Sequence, residues 1–189
     1  MFKSQMKFQK ILTVALLLFA AVCFVFSIGI STDVYGLYLS SAVIDFEGSN
    51  LFNEIQSYNH YAVIFSLVLI CSCLLPYIFA TNTRRLYYVD NYVSIGAQFG
   101  FFIFYGIYIL TNSITYKHRF LTEVDFETYK SNAELFKTKY SESTFFFDAG
   151  MVLSILCFVM AALIIANLVW KIIIMRKENE LLTLGAQND

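Results

Sequence analysis

Charged residues are absent from four stretches of this chain, Ile11–Ile30, Tyr61–Ala80, Tyr92–Asn112 and Ala149–Trp170. A helix needs about 20 apolar residues to cross the hydrocarbon layer of a bilayer, and each stretch meets that length. The pattern predicts an all-α membrane protein: a four-helix transmembrane bundle in a single domain, 1–189, with spans at about 11–30, 61–80, 92–112 and 149–172. Residues 31–59 and 113–147 form the two longer loops. The connection between the second and third spans is short, so these two spans form an antiparallel hairpin.

Between the third and fourth spans the periodicity changes. Phe126, Tyr129, Ala133, Phe136 and Tyr140 fall on one helical face, with Lys130, Glu134 and Lys137 off it. Thr122-Glu-Val-Asp125 has the spacing of a capping box. An amphipathic helix is predicted near 123–140, forming a small outer cap that covers the first loop. In that first loop, Tyr35 to Ile44 reads as a short strand pair turned near Ser40-Ser41, or as an extension of the first helix. Asp45–Asn50 reads as a turn. Pro76 predicts a kink near the end of the second span. Residues 1–10 read as a frayed basic extension of the first helix.

Composition strengthens the membrane assignment. The 189 residues are 58% hydrophobic, against about 45–50% in soluble domains. Net charge is −1, but it is unevenly divided. Lys3, Lys7, Lys10, Arg84, Arg85, Lys171, Arg176 and Lys177 face only Asp90, Glu178, Glu180 and Asp189, a net +4 for the two tails and the short loop. The two longer loops carry ten acids against Lys117, Arg119, Lys130, Lys137 and Lys139, a net −5. Lys and Arg beside span ends mark the cytoplasmic side, so both termini are expected in the cytoplasm. Arg84, Arg85, Trp170 and Lys171 are expected to anchor the inner lipid interface. The longer loops hold no cysteine and no Asn-x-Ser/Thr acceptor, which fits a bacterial plasma membrane.

The same spans remove most chemistry. No ionisable group lies inside them, whereas pumps and proton relays place such groups in the membrane. His60 and Asp148 stand at span ends. Cys71 and Cys73 are two apart on a helix and project to different sides, unlike a reactive thiol pair; Cys23 and Cys157 read as packing residues. No phosphate loop, metalloprotease or nucleophile-elbow motif occurs. No catalytic residue, cofactor or metal is expected, and the scattered basic residues do not form a nucleic-acid surface. What remains is packing. Gly96 and Gly100 form a GxxxG pair, with Gly106 beyond, on an aromatic-rich third span. Such glycines let a second backbone approach closely, within the bundle or from another subunit. The expected role is a non-catalytic accessory or scaffolding subunit of a larger membrane complex such as a transporter, in contact with the lipid bilayer and a membrane-protein partner. The alternatives are a homo-oligomeric channel or carrier, and outer loops that bind a ligand.

Overall fold

The structure, a computed structural model, describes residues 2–33, 48–81, 92–137 and 140–186. Among these residues every regular element is an α-helix: α1 (Phe2–Asp33), α2 (Ser49–Thr81), α3 (Tyr92–Glu123), α4 (Phe126–Phe136) and α5 (Phe145–Ala186). Four of them are long and apolar enough to cross a membrane. α1 packs on α2, α2 on α3, α3 on α5, and α5 on α1. The four long helices therefore close a ring.

The helices outrun the uncharged stretches at both ends. α1 begins at Phe2, so the basic tail is not a frayed extension: it is a turn-by-turn continuation whose Gln5 and Gln9 are buried. α2 begins at Ser49, ten residues before the predicted end of the first loop, and runs through Pro76 to Thr81. α3 continues to Glu123, taking in the first part of the predicted second loop. The proposed strand pair near Ser40-Ser41, Arg84 and Arg85 lie outside the described residues.

Each inner face repeats every third or fourth residue, as helix-bundle seams do. On α1 it reads Leu12, Leu16, Ala20, Cys23, Ser27 and Ile30, all buried. The outward face of the same helix carries Ile11, Leu18, Val22 and Val25, with Leu18 64% exposed. Both faces are apolar, and the inside is the smaller and more polar of the two. Only 28–33% of each span is buried within the bundle. Outward leucine, isoleucine and phenylalanine suit a lipid solvent, where apolar side chains gain nothing by turning inward.

Two glycines let α3 and α5 approach closely. A Cβ on Gly106 of α3 would stand 3.0 Å from Phe158 Cε1 and 3.2 Å from Cys157 Cβ on α5. A Cβ on Gly150 of α5 would meet Ser113 Oγ at 2.5 Å. Each helix thus supplies one glycine to admit the other's side chains.

At the end of the bundle away from the termini, a second cluster holds α4. Tyr129 and Ala133 are buried against Leu51, Phe52 and Ile55 of α2, Phe120 of α3 and Phe147 of α5. Phe120 is central: its ring meets Phe52, Phe126 and Phe147 at 5.2–6.4 Å. The helix is shorter than predicted, and its cap differs. Asp125 is the N-cap, accepting from the amides of Glu127 and Thr128 at 3.1 and 3.3 Å. Thr122 is still inside α3 and donates to the His118 carbonyl. The capping box fails because α3 runs past Thr122 and leaves no room for it to cap. Hydrogen bonds from the Thr128 hydroxyl and amide hold the Asp125 carboxyl below its ordinary range. Lys137, in the left-handed region at φ 53°, ends α4. Gly48, at φ +88°, forms the turn into α2; a Cβ there would strike the Glu123 carbonyl oxygen at 2.6 Å.

Candidate functional site

The predicted packing glycines separate into two groups. Gly106 is buried against α5, as described above. Gly96 and Gly100 are exposed, and a Cβ on either would meet nothing within 4 Å. Packing inside the bundle is therefore not their role. The reason is rotational: Ile95, Gln98 and Phe102 occupy the inner face of α3, which turns Gly96 and Gly100 outward. Around them Ala97, Gly100, Phe101 and Phe104 line an open groove of about 450 Å³. A second hollow of about 210 Å³ continues from it between α2 and α3, bordered by Phe65, Val68, Phe101, Phe104 and Tyr105. Phe65 stands edge-on to Phe104 at 5.0 Å and to Tyr108 at 4.9 Å. The surface is an apolar notch: a glycine floor between phenylalanine walls.

The stripe predicted for α4 is divided. Tyr129 and Ala133 are buried, Phe126 is half-buried against Phe120, and Phe136 is 40% exposed at the helix end. Tyr140 lies beyond the helix and rests on Tyr129 at 4.7 Å between ring centres. The face is largely used internally, against the start of α2. Ion pairs tie the same end together. Lys117 meets Asp148 at 2.5 Å, and Arg119 pairs with both Glu54 and Glu123. Asp148 is thus engaged by Lys117 and not by His60.

Two polar clusters lie inside the bundle, among other buried polar groups. In the middle, Ser27 Oγ lies 3.0 Å from Tyr105 Oη and donates to the Cys23 carbonyl at 2.9 Å. Cys157 lies beside Cys23 across the α1–α5 seam. Cys71 faces outward and Cys73 inward, as a two-residue helical spacing requires. Toward the termini, Gln5 Nε2 donates to Asn167 Oδ1 at 2.9 Å and to Gln9 Oε1 at 3.3 Å.

The interface anchors behave differently from one another. Trp170 is half-buried, 5.7 Å from the Phe8 ring. Lys171 is 0% exposed, with Nζ 4.3 Å from the centre of the Tyr92 ring. It does not reach outward to headgroups; the α5 seam carries it into the bundle. The buried set of Gln5, Gln9, Asn167 and Lys171 is the feature that reading for uncharged stretches misses, because all four lie just beyond or at the edge of those stretches. Among the described residues, no group of three or more His, Cys, Asp or Glu side chains is placed to hold a metal ion.

Among the described residues every regular element is helical, and four of the helices are long and apolar enough to span a membrane. The chain matches no known protein family, no curated protein and no solved structure.

Proposed function

We propose that this chain is a non-catalytic, multi-pass protein of a bacterial plasma membrane, and that it serves as an accessory or scaffolding subunit. Its partner is a larger membrane protein complex such as a transporter. Both termini lie in the cytoplasm, and α4 with its aromatic cluster forms the outer cap. The charge division between the two ends supports that orientation.

One observation carries the reading. Gly96 and Gly100 stand on the outward face of α3 with open space where side chains would be. Glycine in mid-helix is destabilising relative to alanine by about 1 kcal/mol, and no neighbour among the described residues requires it here. Close approach by another helix does require it, since exposed glycines allow backbone contact. Phe101 and Phe104 then supply the walls into which a partner helix packs.

Purification in mild detergent, followed by mass spectrometry of co-purifying chains, tests the proposal. A second membrane protein retained by the native chain, and lost on Gly96→Leu or Gly100→Leu, is the expected result. A lone monomer overturns the accessory role. A homo-oligomer disrupted by the same substitutions replaces it with a self-assembling channel or carrier.

A further inference from the structure

The outward faces of the long helices are not equally tall. On α5 every exposed position from Phe145 to Ile173 is apolar, a face about 42 Å long at the rise of an α-helix. The charges within it are Asp148, which is paired with Lys117, and the buried Lys171. On α2 the exposed apolar positions run from Tyr61 to Ile78, about 26 Å by the same rise. Beyond Tyr61, toward α4, the exposed positions of α2 are His60, Ser57, Glu54, Asn53 and Asn50, all polar.

The Lys117–Asp148 pair fixes how α3 and α5 meet at the α4 end, with Nζ 2.5 Å from Oδ1. Leu121 lies one turn beyond Lys117, and Phe145 one turn beyond Asp148, each on the same helix face as the paired residue. Leu121 is 54% exposed and Phe145 66%. Helical side chains lean toward the N-terminus of their own helix. Leu121 therefore leans back toward the ion pair while Phe145 leans away from it, which brings the two to similar height. Ile114 and Val152, one turn on the other side of the pair, are also exposed. Apolar side chains thus bracket the ion pair above and below. Arg119 of α3 pairs with Glu54 of α2, so α2 shows a carboxylate near the height at which the α3–α5 rim shows leucine.

A bilayer is about 30 Å thick in its hydrocarbon layer and about 40–45 Å with both headgroup layers. The apolar face of α2 fits within the first, and that of α5 matches the second. Lys117 and Asp148 are the first charges beyond the uncharged stretches that end at Asn112 and begin at Ala149, so they mark the hydrocarbon edge. We propose that the lipid headgroup layer at the α4 end covers the rim of Leu121 and Phe145, about one helical turn beyond that edge, on the α3–α5 side of the bundle and not on the α2 side. The inference rests on the chain spanning a membrane. Lipid suits this rim because the boundary between headgroups and acyl chains takes up apolar side chains and borders charged groups in the same layer. The lysine is already neutralised by Asp148, so the contact is with the layer and not with one phosphate.

The test uses the full-length chain with Trp170→Phe, which removes its single tryptophan, reconstituted in phosphatidylcholine nanodiscs. Tryptophan is then placed singly by Phe145→Trp, Leu121→Trp, Ser57→Trp and Leu18→Trp. All four positions are exposed, so the new ring displaces no packed neighbour. Emission is read against a nitroxide on the lipid headgroup, a nitroxide in the middle of the acyl chain, and aqueous iodide. Phe145→Trp and Leu121→Trp should lose emission to the headgroup nitroxide and keep it against iodide, whereas Ser57→Trp should lose it to iodide. Leu18→Trp should lose emission to the mid-chain nitroxide; if it does not, the spanning arrangement itself fails. Iodide quenching at both rim positions, with Leu18→Trp still quenched from within the bilayer, overturns the rim proposal alone. Emission at the rim that resists nitroxide and iodide alike also overturns it, because protein then covers the rim.

Discussion

Valine at Gly106 and valine at Gly100 are the same substitution on the same helix, six residues apart, and the structure assigns them opposite consequences. At Gly106 the new Cβ would stand 3.0 Å from Phe158 Cε1, 3.2 Å from Cys157 Cβ and 3.3 Å from Phe158 Cζ. Carbon atoms pack best at about 3.5–4.0 Å, so α3 and α5 must separate. The Phe158 ring can swing, but the Cys157 Cβ moves only with the α5 backbone. Overpacking of this kind costs about 1–3 kcal/mol. Alanine recovers about 1 kcal/mol through helix propensity, which leaves Gly106→Ala with a small net effect. Valine places two more methyl groups beyond the same Cβ, so Gly106→Val should destabilise the monomer by about 2–3 kcal/mol. At Gly100 nothing lies within 4 Å of the Cβ position, and valine should leave monomer stability unchanged or slightly raised. Detergent-induced unfolding of the purified monomer measures both. Association should show the reverse order, with Gly100→Val weakening partner retention. Equal destabilisation at the two sites, or a larger loss at Gly100, would refute the assigned rotation of α3.

Three further outcomes follow from the two ends of the bundle. Tyr129→Ala removes a ring that is fully buried between Phe52 and Tyr140. It should cost about 3–5 kcal/mol, and hydrogen exchange should show amides 126–136 losing protection before α1 or α5; simultaneous loss everywhere would deny α4 a separate docking energy. The Asp125 carboxyl is lowered by its bonds to Thr128, so its folded value lies below the unfolded one. Its stabilisation of α4 is therefore complete above about pH 4 and lost as pH falls through the lowered folded value. Asp125→Asn keeps a capping acceptor and should abolish that acid step in α4 protection; a step that survives has another origin. Cys71 is exposed whereas Cys23, Cys73 and Cys157 are buried. Maleimide applied to the protein in detergent should therefore modify Cys71 well ahead of the other three, and uniform labelling would contradict the helix faces.

How much of this was readable in advance depends on what the sequence signal measures. Loss of charge over about 20 residues measures depth in a bilayer, and it identified four helices long enough to span one. It says nothing about rotation around a helix axis, because Leu18 facing lipid and Leu16 facing the core are chemically the same. The GxxxG pair was legible as two small residues on one helix face, but the sequence could not say which way that face turns. That depended on Ile95, Gln98 and Phe102 claiming the inner face of α3. The amphipathic stripe of α4 was legible for the opposite reason: at a water-facing end, polarity does separate the two sides. Its boundaries shifted because Thr122 was already committed to α3.

Lys171 shows that a rotational signal did exist, in size and polarity rather than in hydrophobicity. On α5 the buried positions Gly150, Ser154, Cys157, Ala161, Ile164 and Asn167 recur at three- and four-residue steps, and all but Ile164 are small or polar. Continuing that step from Asn167 reaches residue 171. On α1, stepping back from Ala20 through Leu16 and Leu12 reaches Gln9 and then Gln5, again all buried. A lysine at a span end is ordinarily assigned outward because its stem can carry the charge to the interface. The seam overrides that tendency here, where the Lys171 ammonium lies over the Tyr92 ring of α3. The rotation of α5 that brings Asn167 to Gln5 of α1 also turns Lys171, one helical turn on, inward over the Tyr92 ring of α3, so the buried cation and the hydrogen-bonded amides share one cause.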